Sequence, residues 1–353
     1  GDMYIELESD EDTTTTTAAA DCNWVAERAV NNVELSIGGQ RIDKHYQKWW
    51  RMYSELYLDE SKKATWGKMT TAKDGKTVYL PLIFFFNRNP GLALPLIALQ
   101  YHEVRIDFDL ASNFTTYLNA SVFKVWANYV YLDTEERRRF AQKGHEYLIE
   151  QVQHTGTDTV TADGGTKQVR LSYNHPVKEL VWCFSNTQTN NGMWNFTTAS
   201  TDANIKLDSN QNSLEGSNCF VTTATAGTPM VKVGAIGGSS IFTEEAVGPL
   251  ATFKLILNGQ DRFKEQKGKY FNQVQSYNHH TGSPYPGIYS YSFALKPEEH
   301  QPTGTCNFSR IDNAQVQVVT ASTTNNAISM HMFATNYNVL RIQSGMGGLA
   351  FSN

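Results

Sequence analysis

One short segment occurs twice in this chain, once in each half. Residues 34–41 (ELSIGGQR) align with residues 254–261 (KLILNGQD), and each copy places a glycine turn and then a glutamine after a strand-like stretch. Paired aromatic residues follow both copies, Trp49-Trp50 in the first and Tyr270-Phe271 in the second. Residues 95–108 also weakly echo residues 302–318. Such a repeat indicates two similar units in tandem, so the chain is restricted to folds that can be built twice.

Alternating apolar and polar residues predict that both units consist of β-strands. The predicted strands of the first half are residues 3–8, 33–37, 77–85, 104–109 and 122–132. Those of the second half are residues 147–152, 168–173, 179–184, 252–257, 289–294, 314–319 and 328–333. Helices are predicted only at residues 42–56 and 134–142. Many short strands between Gly, Pro and Asn loops favour two antiparallel sandwiches over alternating strands and helices.

Charge and cysteine content exclude several classes of protein. The net charge is −5 and no stretch carries a sustained run of Lys or Arg, so direct contact with nucleic acid is not expected. Four scattered cysteines, Cys22, Cys183, Cys219 and Cys306, have neither the spacing of a disulfide framework nor that of a zinc motif. No signal peptide pattern opens the sequence, which predicts assembly in a reducing cytoplasm.

The histidines form no catalytic or metal-binding pattern. Neighbouring residues of a strand point to opposite faces of the sheet, so His102 and Glu103 cannot share a metal ion. His145 and His154 are an odd number of residues apart, so on a continuous strand they also point to opposite faces. His279-His280 falls in a loop where exposed polar residues are the ordinary interpretation. Residues 345–350 match a dinucleotide-binding pattern, but only three residues follow, too few for the helix that the motif requires. We therefore predict no catalytic residue, no metal and no cofactor.

Three segments are predicted to lie at the surface or at a contact. Residues 9–21 and 186–248 are long and polar, as in surface loops. Residues 92–97 (LALPLI) are apolar and loop-like, and two interpretations remain open for them: packing inside the first sandwich, or contact between subunits. Four asparagines stand in N-glycosylation sequons and are candidate modification sites, with Asn195 the most accessible: Asn113, Asn119, Asn195 and Asn307.

Several long blocks resemble one protein family. These are residues 33–46, 80–104, 145–151, 257–263, 291–297, 301–314 and 336–350. Together they cover both halves of the chain from about residue 32 to the end. They resemble the major capsid proteins of nucleocytoplasmic large DNA viruses, in particular the chlorella-virus (phycodnavirus) type.

The resemblance implies an all-β protein of two tandem jelly rolls with a few short helices. The helical link predicted at residues 134–144 places their boundary, which gives residues 1–140 and 141–353. It implies a homotrimer forming a pseudo-hexagonal capsomer of an icosahedral shell, with neighbouring capsomers, minor capsid proteins and, indirectly, an internal membrane as partners. N-linked glycans are expected on the outer surface, often outside the usual sequon. Family members also carry an N-terminal arm and a first strand ahead of the point where this chain starts. Two interpretations follow: either the chain is truncated, or its first sandwich lacks an edge strand.

Two other functions stay open at this point. A secreted carbohydrate-binding or glycan-processing jelly roll would show Trp residues lining a groove, or two carboxylates facing each other across one, and neither pattern is evident. A minor vertex or spike protein of the same viral lineage would share the fold.

Overall fold

The computed structural model describes residues 1–9, 24–71, 77–112, 118–160, 164–186, 220–221, 231–232, 249–284, 287–321 and 328–351. The chain forms two compact units. The first comprises Gly1–Arg51, Met69–Gln153 and Thr335–Asn353, and the second comprises Met52–Lys68 and His154–Ala334. The predicted division between residues 140 and 141 stays a prediction.

The first unit contains two three-stranded antiparallel sheets, with orders β4-β1-β6 and β3-β2-β5. Its strands are β1 Met3–Ser9, β2 Val30–Ile37, β3 Gln40–Tyr46, β4 Thr77–Pro81, β5 Val104–Leu110 and β6 Leu118–Ala127. Alternate residues of each central strand are fully buried, Ile5 and Leu7 on β1 and Leu35 and Ile37 on β2. One face of each sheet therefore lies in the core, as the alternating sequence predicts.

Two long strands contribute residues to both units, β7 (His145–Val160) and β18 (Ile328–Gln343), and they pair with each other. The remaining strands are β8 Thr166–Leu171, β9 Pro176–Asn186, β10 Phe220–Val221, β11 Val231–Lys232, β12 Leu250–Leu257, β13 Gln260–Asp261, β14 Gln266–Lys267, β15 Ile288–Ser292, β16 Cys306–Asn307, β17 Ala314–Thr320 and β19 Met346–Leu349. In the second unit one sheet has the order β13-β12-β17-β8, and in the other β9 lies between β15 and β18.

The helices are short. They are α-helices at Val25–Arg28, Gln47–Tyr57, Glu60–Thr70, Phe85–Arg88, Thr134–Gln142 and Gln275–His279, a π-helical turn at Tyr270–Val274, and 3-10 turns at Pro90–Leu92, Leu96–Ala98 and Phe308–Arg310. Within the described ranges, no helix is long and apolar enough to cross a bilayer.

The repeated segment forms the same hairpin in each unit. Strands β2 and β3 are joined by Gly38 and Gly39, with φ of 58° and 81°, and β12 and β13 by Asn258 and Gly259, with φ of 51° and 80°. Positive φ at both central residues defines the type I′ turn, which favours Gly and Asn and matches the twist of an antiparallel pair. The second, weaker similarity, between residues 95–108 and residues 302–318, ends in an alternating strand in each unit. That strand lies next to the hairpin: β5 pairs with β2, and β17 pairs with β12.

Three sequence predictions about these elements are wrong in part. Residues 42–46 belong to β3 and not to a helix, because the turn before them pairs them with β2. The strand predicted to reach residue 85 ends at Pro81, and Asn87 Oδ1 accepts a hydrogen bond from the Phe84 amide (3.1 Å), which starts a helix. The strand predicted to reach residue 132 ends at Ala127.

The predicted loops at residues 9–21 and 186–248 lie outside the described residues, except for Ser9, Asn186 and the short pair β10 and β11. The helix Glu60–Thr70 was not predicted.

Trp182 fills the space between the two sheets of the second unit. It lies on β9 and is fully buried. Its ring stacks on Phe253 of the opposite sheet at 4.3 Å between centroids, and it also contacts Phe271 at 5.4 Å and Tyr289 at 5.8 Å. Such contacts add to the free energy gained by burying each ring, so this cluster is the centre of the second core.

We expect the substitution Trp182→Ala to lower the free energy of unfolding by ~3–5 kcal/mol, because it leaves a cavity among three aromatic rings. Denaturant unfolding followed by intrinsic fluorescence measures the change. Tyr101→Ala is the matched control, since Tyr101 is 76% exposed and should change stability by no more than ~0.5 kcal/mol. Equal effects of the two substitutions would contradict the packing described.

Candidate functional site

An open apolar groove crosses the surface of the first unit. It encloses about 780 Å³ and is lined by residues of β1, β5 and β6, by residues 90–97 and by residues 127–132. Among the described residues that line it, Arg137 is the one with a charged side chain. A concave surface of this size with so little charge is suited to apolar contact. We define it as the apolar groove.

Local turns hold residues 89–99 in place along this groove. Asn89 Oδ1 accepts a hydrogen bond from the Gly91 amide (2.9 Å), which starts the turn Pro90–Leu92. The Ala98 amide donates to the Pro95 carbonyl (2.9 Å) in the turn Leu96–Ala98. Leu92 and Pro95 are buried, whereas Leu96 is 48% exposed. The predicted apolar loop therefore packs partly into the first unit and partly faces solvent in a single chain.

Residues 128–133 supply the most exposed apolar side chains of the groove. Tyr129, Val130 and Tyr131 are 65%, 74% and 93% exposed. The helix Thr134–Gln142 follows at once, because Asp133 Oδ1 accepts a hydrogen bond from the Thr134 amide (2.6 Å), and none of its residues is buried. Three consecutive exposed apolar residues are unusual unless they serve a contact. Sequence reasoning assigned them to a strand and missed this property, although the unbroken apolar triplet was a usable signal.

Two of the four predicted glycosylation sites lie within the described residues. Asn307 is exposed and Asn119 is half-buried. In each, the side-chain oxygen accepts a hydrogen bond from the amide of the sequon serine, Asn119 from Ser121 (2.9 Å) and Asn307 from Ser309 (3.1 Å). Asn113 and Asn195 lie outside the described residues.

A buried polar cluster in the second unit surrounds His280. Its Nε2 contacts Glu179 Oε1, and its Nδ1 lies 3.2 Å from Glu298 Oε1. Tyr57 Oη donates a hydrogen bond to Glu179 Oε2 (2.5 Å), and the Thr281 amide donates to Glu298 Oε1 (2.9 Å). The interpretation of His280 as an exposed loop residue is wrong, since its side chain is fully buried. Its partners come from distant segments, which the local sequence does not reveal.

The charge on His280 is set by these carboxylates. Burial alone would lower the pKa of His280, but the charge of Glu179 and the hydrogen bonds to Glu179 and Glu298 outweigh it and raise the pKa from 6.5 to about 9. The imidazole is therefore protonated at neutral pH. His280 follows the helix Gln275–His279, and Glu179 lies on β9. Their contact therefore holds this loop against β9.

His102, His145 and His154 have structural partners. His102 and Glu103 precede β5 instead of opening it, and His102 Nδ1 lies 2.8 Å from the Gly347 carbonyl oxygen and 3.1 Å from its amide. His145 Nε2 lies 2.8 Å from the Phe140 carbonyl oxygen, and His154 Nδ1 lies 2.9 Å from that of Met332. Across the described residues, no three His, Cys, Asp or Glu side chains converge on a position that could hold a metal ion.

The segment that matches a dinucleotide-binding pattern is a hairpin. Ser344 and Gly345, with φ of 54° and 80°, turn β18 into β19. A strand therefore occupies the place of the helix whose N-terminus would hold a pyrophosphate.

Comparison with known proteins covers both halves of the chain. The family model of the large eukaryotic DNA virus major capsid protein matches residues 136–348, and the model of the major capsid protein N-terminus matches residues 3–133. The chain is 42% identical over 370 residues to the major capsid protein of Paramecium bursaria Chlorella virus 1, covering 94% of this chain and 80% of that protein. It is 37% identical over 429 residues to the major capsid protein of Phaeocystis pouchetii virus, covering 94% and 82%.

Solved structures of viral capsid proteins also match this chain. The quasi-atomic model of the PBCV-1 virus capsid matches with a TM-score of 0.78 at 39% identity, over 100% of this chain and 89% of that chain. The Faustovirus major capsid protein matches with a TM-score of 0.66 at 11% identity, over 97% and 85%. At that low identity the second match is evidence for the fold alone.

We expect the buried histidine to make stability depend on pH. A pKa raised from 6.5 to about 9 corresponds to ~3 kcal/mol of stability, fully present below pH 6.5 and lost as the pH rises through about 9. Denaturant unfolding between pH 6.5 and 9.5 should show this decline in the unsubstituted chain.

The substitution His280→Gln should flatten that pH dependence, because the group that titrates is removed. His279→Gln, one residue earlier, is the matched control and should keep it, since His280 and both carboxylates remain. If His280→Gln declined with pH as steeply as the control, the pairing of His280 with Glu179 would be contradicted.

Proposed function

Because the chain belongs to the major capsid protein family of large eukaryotic DNA viruses, we propose that three copies associate into a pseudo-hexagonal capsomer and that such capsomers tile an icosahedral shell. The chain is a capsid protein and a component of the virion. The predicted all-β fold of two jelly rolls is confirmed by the match to the PBCV-1 capsid. The comparisons give no support to a secreted carbohydrate-binding or glycan-processing protein.

The duplicated hairpin is the observation that carries the trimer proposal. Each unit places a two-residue I′ turn between a central strand and its neighbour, and an alternating strand on the other side. Two similar units in one chain give six similar blocks when three chains surround an axis. A trimer of such chains would therefore be nearly hexagonal in outline. Capsomers of that shape can pack side by side in a shell with few gaps.

Further features of this function belong to the proposal. The two jelly rolls are assigned to residues 1–140 and 141–353. Partners beyond the chain itself and neighbouring capsomers are minor capsid proteins and, indirectly, an internal membrane, with assembly in the host cytoplasm. The net charge of −5 is consistent with no direct contact to nucleic acid. The role is structural, with no catalytic residue.

The four sequon asparagines, Asn113, Asn119, Asn195 and Asn307, are proposed to carry glycans. A glycan attaches through the amide nitrogen, so the hydrogen bonds that the side-chain oxygens of Asn119 and Asn307 accept can persist after modification. We expect glycopeptide mass spectrometry of the virion protein to find glycan mass on the exposed Asn307, and Asn307→Gln to remove it. Unmodified peptides at all four positions would contradict this assignment.

Oligomeric state is the direct test of the capsomer proposal. Native mass spectrometry of the purified chain should give the mass of three copies, with the trimer persisting on dilution because a permanent interface buries ~2,000–5,000 Å². Small-angle scattering on the same sample checks the size in solution. A monomer at high concentration by both methods would overturn the proposal.

A further inference from the structure

One segment from the first half of the sequence belongs to the second unit. It is Met52–Lys68, which contains the end of the helix Gln47–Tyr57 and most of the helix Glu60–Thr70. We call it the helical segment. Residues 280–283, which we call the docking loop, contact it from the second half of the chain. The segment is therefore held in place by residues more than two hundred positions away in the sequence.

The docking loop lies directly against both helices of the helical segment. The Gly282 amide donates a hydrogen bond to the Leu56 carbonyl (3.0 Å), near the end of the first helix. The approach is close enough to require glycine, because a Cβ at this position would lie 2.7 Å from the Leu56 carbonyl oxygen. Lys63 of the second helix is buried and donates from Nζ to the Ser283 carbonyl (2.7 Å). These contacts join the loop and the segment into one piece.

Glu179 joins both parts of this piece to β9. Its Oε1 contacts His280 Nε2 in the docking loop, and its Oε2 accepts a hydrogen bond from Tyr57 Oη in the helical segment (2.5 Å). The side chains of Glu179 and His280 are fully buried, and the rings of His280 and Tyr57 pack edge to face with 5.0 Å between centroids. We call Glu179, His280 and Tyr57 the clasp.

A proton on His280 balances the charge of the clasp. Glu298 Oε1 lies 3.2 Å from Nδ1, so the imidazole has a carboxylate at each ring nitrogen. Burial lowers the pKa of His280, but the charge of Glu179 and the hydrogen bonds to both carboxylates outweigh it and raise the pKa to about 9. When the proton leaves, buried Glu179 loses the cation that it contacts. Contact of Glu179 with water then becomes favourable, because a buried charge without its partner is costly.

Other charged and titratable groups around the clasp have contacts of their own. On the helical segment, Lys63 Nζ lies 3.2 Å from Glu60 Oε1 and 3.8 Å from Glu55 Oε2. Further groups are Lys178 on β9, whose Nζ donates to the Pro297 carbonyl (2.7 Å), Lys296, which pairs with Glu299 (2.9 Å), and His279, whose Nδ1 lies 3.1 Å from the Leu295 carbonyl oxygen. Within the described residues, His280 is the cation that lies against Glu179.

We propose that the clasp holds the helical segment in the second unit while His280 is protonated, and that loss of this proton in alkaline solution releases the segment. The release is local, because Glu179 and Trp182 are three residues apart on β9 and so point to opposite faces. Trp182 lies in an apolar core that does not depend on the proton. An alkaline medium therefore loosens the chain without unfolding its sheets. The device concerns a single chain and stands independently of the number of copies in a capsomer.

Hydrogen exchange of the unsubstituted chain, followed by mass spectrometry, tests the release. Between pH 6.5 and 9.5, after correction for the faster intrinsic exchange at high pH, peptides of the helical segment and the docking loop should lose protection by about tenfold or more. Peptides of β12 and β17 should keep theirs. An equal loss in all these peptides would indicate global unfolding and would overturn the proposal, and so would unchanged protection of the helical segment.

Two substitutions separate the charge of the clasp from its hydrogen bond. His280→Gln removes the cation and should expose the helical segment to exchange already at pH 6.5, whereas the control His279→Gln should behave as the unsubstituted chain. Tyr57→Phe removes the hydroxyl that donates to Glu179 and should speed exchange of the segment about tenfold at pH 6.5. Its control is Tyr277→Phe, since Tyr277 is exposed.

Peptides of β12 and β17 show in every variant whether the sheets stay folded. Equal protection of the helical segment in His280→Gln and His279→Gln would contradict the role of the proton. Exchange in Tyr57→Phe no faster than in Tyr277→Phe would contradict the role of Glu179 in holding the segment. Either result overturns the clasp.

Discussion

Strands with alternating burial, such as β1, β2 and β17, give their sheets an apolar face that must be covered by other packed elements. Trp182 shows how strictly the requirement is met, since its ring lies 4.3 Å from Phe253 of the facing sheet and is wholly removed from solvent. Without such contacts an alternating strand leaves half of its side chains without a partner. A sandwich is the smallest arrangement in which two sheets cover each other's apolar faces. The chain contains two such sandwiches.

The duplication gives both units an equivalent hairpin. The I′ turns at Gly38-Gly39 and Asn258-Gly259 set the register of equivalent hairpins, and the aligned residues Leu35 and Leu255 are both fully buried. The first unit leaves Tyr129, Val130 and Tyr131 in solvent along a groove, and the second leaves Tyr277 and Leu295. Different exposed surfaces on two units with similar hairpins are compatible with the proposed threefold assembly.

Much of the fold could be predicted from the sequence because its signals are local. The helix Thr134–Gln142 was predicted with the observed bounds, since Asp133 caps it and acidic residues fill its first turn. The strands with clear alternation were found to within a few residues at most ends, although β7 and β18 run much longer than predicted. The helix Glu60–Thr70 was missed because its apolar residues follow no helical period and Gly67 interrupts it.

The candidate site was less predictable, for a physical reason. Whether Leu96 packs or faces solvent depends on strands far away in the chain, and its apolar character is the same in either case. The environment of His280 is likewise created by Glu179, which is about a hundred residues distant. A sequon can be found directly in the sequence, but the sequence does not show whether its asparagine is exposed. Local patterns fix the elements, and tertiary contacts decide which side chains remain exposed.

Electron cryomicroscopy of assembled shells, at a resolution that traces the chain, tests the central claim most directly. The expected map shows three chains around each capsomer axis, with two jelly rolls from every chain forming six similar blocks. A capsomer with a different number of chains, or with one sandwich per chain in the ring, would contradict it.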